Sequence, residues 1–182
     1  MSQPRGDSFS YVIVPAGPAD AEALARVHVT SWRETYRGYL PDAFLARMSE
    51  AGYTRRFRRD LTRPGPNDVV LAAMNPHDIF GYVAGGPSRA GGENEAEITT
   101  LYVLRGAQGR GVGKRLLTGA VRALAAQGAK SLVISVLRDN ERARGFYEHL
   151  GGVADPPREE PGPGGRVWEV TYRWPEIGKL LG

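Results

Sequence analysis

The chain has 182 residues, a formal net charge of +4, an ordinary globular balance of 41% hydrophobic to 24% charged residues, and no cysteine. That length suits a single domain, residues 1–182, with a full core, and the missing thiol excludes a disulfide framework, a cysteine nucleophile and a cysteine-ligated metal. No apolar run approaches the roughly 20 residues that cross a bilayer, and the opening MSQPRGDSFS lacks the apolar segment of a secretory signal, so a cytoplasmic protein with no membrane partner is expected.

Arginine supplies most of the positive charge, the lysines being Lys114, Lys130 and Lys179 alone. Acidic residues are interleaved with it, so no nucleic-acid partner is expected. The densest cluster, RRFRRD at 55–60, reads as a solvated helix face. His28, His77 and His149 have no metal-ligand spacing to one another, and no metal site is expected.

In chain order, SYVIVPAG from Ser10 reads as a strand closed by Pro15 and Gly17. Asp20 then caps a helix whose apolar residues Ala23, Leu24, Val27 and His28 or Trp32 fall at helical spacing, with Gly38 and Pro41 at its end. A second helical zone, Asp42 to Arg59, breaks near Gly52. NDVVLAAMN and HDIFGYVAGG are two strands joined as a hairpin across Asn75-Pro76-His77-Asp78. AEITTLYVL, Ala96 to Leu104, is a longer strand rich in β-branched and aromatic residues.

Leu116, Leu117, Ala120, Val121, Leu124 and Ala125 recur at three and four, which predicts an amphipathic helix ending before Gly128. SLVISVL, Ser131 to Leu137, is apolar enough for a strand buried on both faces, as parallel strands are. Strand, helix and strand together make a right-handed crossover. A helix from Asn140 to Leu150 stops at Gly151-Gly152, and VWEVTYRW, Val167 to Trp174, closes the chain as an alternating strand. Between them, DPPREEPGPGGR reads as a long exposed hairpin loop. The fold class is α+β with a mixed sheet.

The segment QGRGVGKRLL, Gln108 to Leu117, sits between strand and helix. A P-loop places its first glycine on Gln108 and its hydroxyl on Arg115, and fails at both. A dinucleotide fingerprint places its third glycine on Lys114 or Leu116, and fails as well. What remains is a glycine turn running into a helix N-terminus, whose unpaired N–H groups and dipole attract an anion the size of a pyrophosphate. Arg110 and Lys114 place cations beside it. The alternative is that the glycines only permit a tight turn.

Gln108-Gly109-Arg110-Gly111-Val112-Gly113, preceded by Leu101-Tyr102-Val103 and followed by Asn140-x-x-Ala143-x-x-Phe146-Tyr147, resembles the GNAT superfamily of acyl-CoA-dependent N-acetyltransferases. The resemblance is strongest from Ile98 to Gly151. It implies a mixed, mostly antiparallel sheet of about six or seven strands, with splayed parallel strands 4 and 5 and about four flanking helices. Acetyl-CoA would then lie in the splay, its arm along the backbone of Leu101, Tyr102 and Val103. Its pyrophosphate would lie on Gln108, Gly109, Arg110, Gly111, Val112, Gly113 and Lys114. Asn140 would hydrogen-bond the arm and Tyr147 would sit beside the thioester sulfur. One departure stands out: Gly152 occupies a position where the family usually has a large hydrophobic residue.

The implied reaction is attack of a neutral amine on the thioester, which needs a base, oxyanion donors and an acid for the leaving thiolate. The Val103 N–H is the oxyanion candidate. Tyr147, with a phenol pKa near 10 against about 8.5 for a thiol, donates its proton only in an environment that lowers it or to a transient thiolate. Its alternative role is packing beside Phe146.

Glu97 lies four residues before Leu101, and alternation places both on one face, so it is the candidate base, directly or through a water. The alternative is a solvated strand carboxylate. Trp32, Tyr36 and Tyr39 are candidates for the acceptor pocket, and Glu159 and Glu160 for attracting a cationic amine.

The leading reading is acetylation of a small-molecule primary amine. Acetylation of a protein N-terminus or lysine, a non-catalytic acyl-CoA sensor and a nucleotide-binding protein remain open. A homodimer is a family-level expectation.

Overall fold

The β-branched and aromatic runs of the chain assemble into one mixed sheet. In the computed structural model, which describes residues 9–89 and 91–181, the strands are β1 (Val12–Pro15), β2 (Val69–Met74), β3 (Ile79–Pro87), β4 (Glu95–Val103), β5 (Ser131–Leu137), β6 (Val153–Ala154), β7 (Arg158–Gly162) and β8 (Gly165–Trp174). Their order is β1-β2-β3-β4-β5-β8, and β6 and β7 both pair with β8. Every pairing is antiparallel except β4 with β5.

Among the described residues five α-helices flank the sheet: α1 (Ala21–Tyr36), α2 (Asp42–Arg47), α3 (Glu50–Thr62), α4 (Val112–Ala126) and α5 (Glu141–His149). No helix among the described residues is long and apolar enough to cross a membrane.

Helical periodicity sorts the helices onto two faces. Leu116, Leu117, Ala120, Val121 and Leu124 of α4 pack with Ile98, Leu132, Ile134 and Tyr172 in one core. Each large side chain so buried contributes about 1.5–3 kcal/mol. On the opposite face Leu24 and Val27 of α1 pack with Ala72, Ile79 and Tyr82, while Phe57 and Leu61 of α3 close the edge.

Several expectations change. The helical zone after Pro41 breaks at Met48-Ser49, not near Gly52, because Ser49 Oγ accepts the Gly52 N–H at 3.2 Å and starts α3. The segment 155–166 is not a loop: residues 158–162 form β7, joined to β8 through Pro163-Gly164. Gly164 and Gly165 supply the positive φ (79° and 143°) that this tight turn needs. Pro161 is tolerated because β7 is an edge strand. The expected hairpin at 75–78 is present, tightened by Asn75 Oδ1, which accepts the His77 and Asp78 N–H groups.

Two features open the sheet. The parallel β4–β5 register runs only from Glu95↔Ser131 to Ile98↔Ile134. Beyond it β4 stays with β3 as far as Val103↔Gly81, and β5 stays with β8 as far as Leu137↔Glu169. The two strands therefore diverge at residues 99–103 and 135–137.

The second feature is a bulge. Thr100 pairs with Ala84 and Ile98 with Gly85, so Thr99 is an extra residue in β4. A Cβ at Gly85 would lie 2.6 Å from the Glu97 carbonyl, so the glycine lets the bulge close. Before the bulge Ala96 and Ile98 face the α4 core; after it Leu101 and Val103 do. The expectation that Glu97 and Leu101 share a face is therefore overturned, and Glu97 falls on the α1 side with Tyr102.

The Gly152 departure has a packing cause. A Cβ there would lie 2.6 Å from the Trp174 ring and 3.0 Å from the Tyr147 carbonyl. The Trp174 indole occupies the space that a larger residue at 152 would fill, and its Nε1–H donates to Leu150 O at 2.9 Å.

Candidate active site

The divergence of β4 and β5 opens a cavity of about 1040 Å³. Its floor is Thr99 to Val103 on one strand and Ile134 to Leu137 on the other. At one end lie Gln108, Gly109 and Gly111 to Lys114; α5 contributes Asn140, Phe146 and Tyr147; α1 contributes Ser31, Trp32 and Tyr36, with Tyr39 beyond it.

The glycine end is built by backbone geometry. Gly109 and Gly111 have φ of +74° and +76°, where a side chain is strained, and Gly111 is the N-cap of α4. Gly113 differs: its φ is helical, and a Cβ would meet Phe146 at 3.7 Å, an ordinary contact. The protein's own packing does not require a glycine there, so the bare backbone fits close approach of a ligand.

Gln108 ties this turn to the strand by donating from Nε2 to Val103 O at 2.7 Å, and its buried Oε1 has no partner among the described residues. The first-turn N–H groups of α4 and the side chain of Lys114 suit a pyrophosphate, and the spare Gln108 oxygen can accept from an amide N–H, so together they fit a pyrophosphate-bearing thioester such as acetyl-CoA. The Arg110 guanidinium lies 4.6 Å over the Phe9 ring and is not among the cavity residues, which corrects the expectation of two cations beside the cradle.

Asn140 is the N-cap of α5: its Oδ1 accepts the Ala143 N–H at 3.1 Å, leaving the amide group to donate. The Tyr36 hydroxyl lies 3.5 Å from that of Tyr102. Tyr147 is buried, packed against Phe146, Tyr172 and Trp174. Burial pushes its hydroxyl well above its ordinary pKa. The lowering that full proton donation to a thiolate needs is not found.

On the α1 side Trp32 meets Tyr36 edge-on with ring centroids 4.9 Å apart, and the Trp32 Nε1–H is buried without a partner among the described residues. These two rings and the half-exposed Tyr39 wall an aromatic chamber.

Glu97 is absent from the residues lining the cavity. Arg89 holds it from Nη2 to Oε1 at 2.6 Å and from Nε to Oε2 at 3.0 Å, keeping its carboxyl below the ordinary range. Glu159 is engaged by Arg166 at 2.6 Å. Glu169, which sequence reasoning passed over as an alternating residue of the last strand, does line the cavity, and a β-strand pattern carries no signal that would single it out.

Comparisons with known proteins agree with this architecture. Residues 29–152 match the profile of the Acetyltransferase (GNAT) family. An uncharacterized N-acetyltransferase of Bacillus subtilis is 27% identical over 164 residues, 88% of this chain and 91% of that protein. The phosphinothricin N-acetyltransferase of Streptomyces coelicolor is 32% identical over 115 residues, 59% of this chain and 65% of that protein. The PaiA N-acetyltransferase of Thermoplasma acidophilum, solved in complex with coenzyme A, superposes with a TM-score of 0.71 at 20% identity over 91% of this chain and all of that one. With the profile spanning the glycine cradle, the divergent strands and α5 together, the chain belongs to the GNAT family of acetyltransferases.

Proposed function

We propose that the protein transfers an acetyl group from acetyl-CoA to a primary amine of a small molecule, by direct attack within a ternary complex. The observation that carries this reading is that one cavity joins the glycine cradle, the unpaired edges of β4 and β5, and the aromatic chamber of α1. A cofactor arm and an acceptor can meet there without a covalent enzyme intermediate, and no cysteine is available to form one.

In this reading the backbone of Leu101, Tyr102 and Val103 pairs with the cofactor arm, and the Val103 N–H faces the developing oxyanion. Gln108, Gly109, Arg110, Gly111, Val112 and Gly113 offer backbone to the pyrophosphate, and Lys114 adds charge. Asn140 donates to the arm through its free amide. Tyr147 donates a hydrogen bond to the departing sulfur, since its raised pKa makes full proton transfer to a thiol of about 8.5 uphill. Trp32 and Tyr36 enclose the acceptor, and this enclosure supports a small molecule over a polypeptide.

The test is release of CoA, followed with a thiol-reactive dye, across small primary amines and across N-terminal and lysine peptides. Small amines are expected to exceed peptides by about 100-fold or more in kcat/KM. Turnover of peptides alone would reverse the substrate class. Acetyl-CoA binding with no CoA release from any amine would identify a sensor.

A further inference from the structure

The α1 face of the sheet carries two glutamates in different surroundings. Glu97 is saturated: Arg89 gives it three hydrogen bonds, the third from its backbone N–H to Oε2 at 3.2 Å. Glu169 is half-buried and lines the cavity, at the register position of Leu137, the last residue of β5. No cationic side chain forms an ion pair with it among the described residues.

Resting on the acetyltransferase reading, we propose that Glu169, rather than Glu97, is the catalytic carboxylate that receives the acceptor's ammonium group, and that the acceptor is a cationic amine without a carboxylate of its own. The charge pattern of the cavity supports the second half. Its cations, Arg105, Lys114 and Arg142, lie along the cradle and α5, whereas the charged residues of the acceptor chamber are Glu34 and Glu169. No cation lines that chamber, and Arg89, which faces Glu169 from outside the lining, is already held by Glu97, so an acceptor carrying its own anion finds no free counter-charge among the lining residues.

The groups that face Glu169 are Tyr36 from α1, Arg89 and Glu97 from the β3–β4 side, and from β7 Glu160 and Arg158, the latter the register partner of Glu169 itself. Burial raises its carboxyl pKa; Glu160 and Glu97 reinforce this and Arg89 opposes it. A base so placed works closer to neutral pH than an ordinary carboxylate.

The step balances. A proton passes from the ammonium nitrogen to a Glu169 oxygen, and the freed lone pair forms the N–C bond at the thioester carbonyl. The tetrahedral oxyanion collapses, the C–S bond breaks and its electron pair stays on sulfur. The second nitrogen-bound proton neutralises the thiolate, giving the amide and CoA, and Glu169 returns its proton to solvent.

The experiment measures kcat/KM against pH for the wild type, Glu169→Gln, Glu169→Asp and Glu97→Gln, on a panel of primary amines with and without a carboxylate. Acetyl-CoA affinity by calorimetry serves as the folding control. Expected are a wild-type preference for amines lacking the carboxylate and an acid inflection above the ordinary carboxylate value of about 4.3. Glu169→Gln is expected to lose that inflection and about 100-fold or more in kcat, with acetyl-CoA affinity intact. Glu169→Asp should restore part of the rate, and Glu97→Gln should keep the inflection.

Glu169→Gln with wild-type rate and pH profile, or loss of the inflection in Glu97→Gln alone, would overturn the base assignment. Preference for carboxylate-bearing amines would overturn the acceptor class. A wild type that binds acetyl-CoA but releases CoA with no amine would overturn the acetyltransferase reading and this assignment with it.

Discussion

Arg89 clasps Glu97 through two side-chain contacts of 2.6 and 3.0 Å, although the arginine is 78% exposed and the carboxylate only 11%. The pair joins the β3–β4 connection to the first half of β4. It neutralises a carboxylate whose main chain sits against Gly85 at the bulge.

Removing the arginine leaves that carboxylate with no cation. Arg89→Gln is expected to cost about 1 kcal/mol at pH 7, a modest value because the arginine is largely solvated. Arg89 holds the Glu97 carboxyl below its ordinary value, so the contribution is complete above the unfolded value of about 4.3 and is lost as pH falls through the depressed folded value. Thermal melts from pH 7 to about pH 3 check this: the gap between wild type and variant should be about 2–4 °C down to the unfolded value of about 4.3 and close below it.

Gly152 and Trp174 form a steric pair, with 2.6 Å between the ring and the missing Cβ. Gly152→Ala is expected to cost about 1–3 kcal/mol by overpacking. Trp174→Ala empties the same space. The double variant Gly152→Leu/Trp174→Ala should be more stable than the sum of the single changes, by about 1 kcal/mol or more, in a denaturant double-mutant cycle. Strict additivity would show that the two positions do not share the space.

The cradle glycines separate backbone strain from ligand clearance. Gly113→Ala meets Phe146 at an ordinary 3.7 Å and lies within α4, so stability should hold or rise by about 0.5–1 kcal/mol. Acetyl-CoA affinity should nonetheless fall by about tenfold or more as the methyl group enters the cradle. Gly111→Ala, with φ at +76°, should lose affinity and about 1–2 kcal/mol of stability together. Calorimetry and melting of the two variants distinguish the effects, and unchanged affinity in Gly113→Ala would remove the pyrophosphate from this end.

His28 lies in a ring of aromatics, with Nδ1 2.6 Å from the Tyr82 hydroxyl, and burial pushes its pKa down to about 4. It is neutral in the native state and takes up a proton on unfolding below its ordinary 6.5. Stability is therefore complete above that value and falls as pH drops toward 4, by about 2 kcal/mol at pH 5. Urea midpoints at pH 7 and pH 5 should show a smaller drop in His28→Gln than in the wild type.

Much of the architecture is written locally. The α4 stripe of Leu116, Leu117, Ala120, Val121 and Leu124 is buried as its period demands, and the glycine turn before it follows from spacing that excludes two other phosphate loops. Asn75 makes its turn through its own side chain. Errors arose where one chemistry serves two structures. The Pro- and Gly-rich segment 158–162 reads as a loop by composition, yet it pairs with β8 because an edge strand accepts proline.

The glycine turn and the helix start after it were legible because they depend on residues within one strand–turn–helix unit. The α1 side of the cavity was not. An extra residue at Thr99 reversed the alternation of β4 and carried Glu97 away from the face of Leu101. Whether a strand bulges is settled by its neighbour, here Gly85. Trp32, Tyr36 and Glu169, drawn from α1 and β8, meet only because the chain folds around the sheet. Local residue order therefore decided how the glycine cradle is built, while long-range packing decided which carboxylate faces the cleft, since side-chain direction across a sheet is a property of the paired strands and not of either one alone.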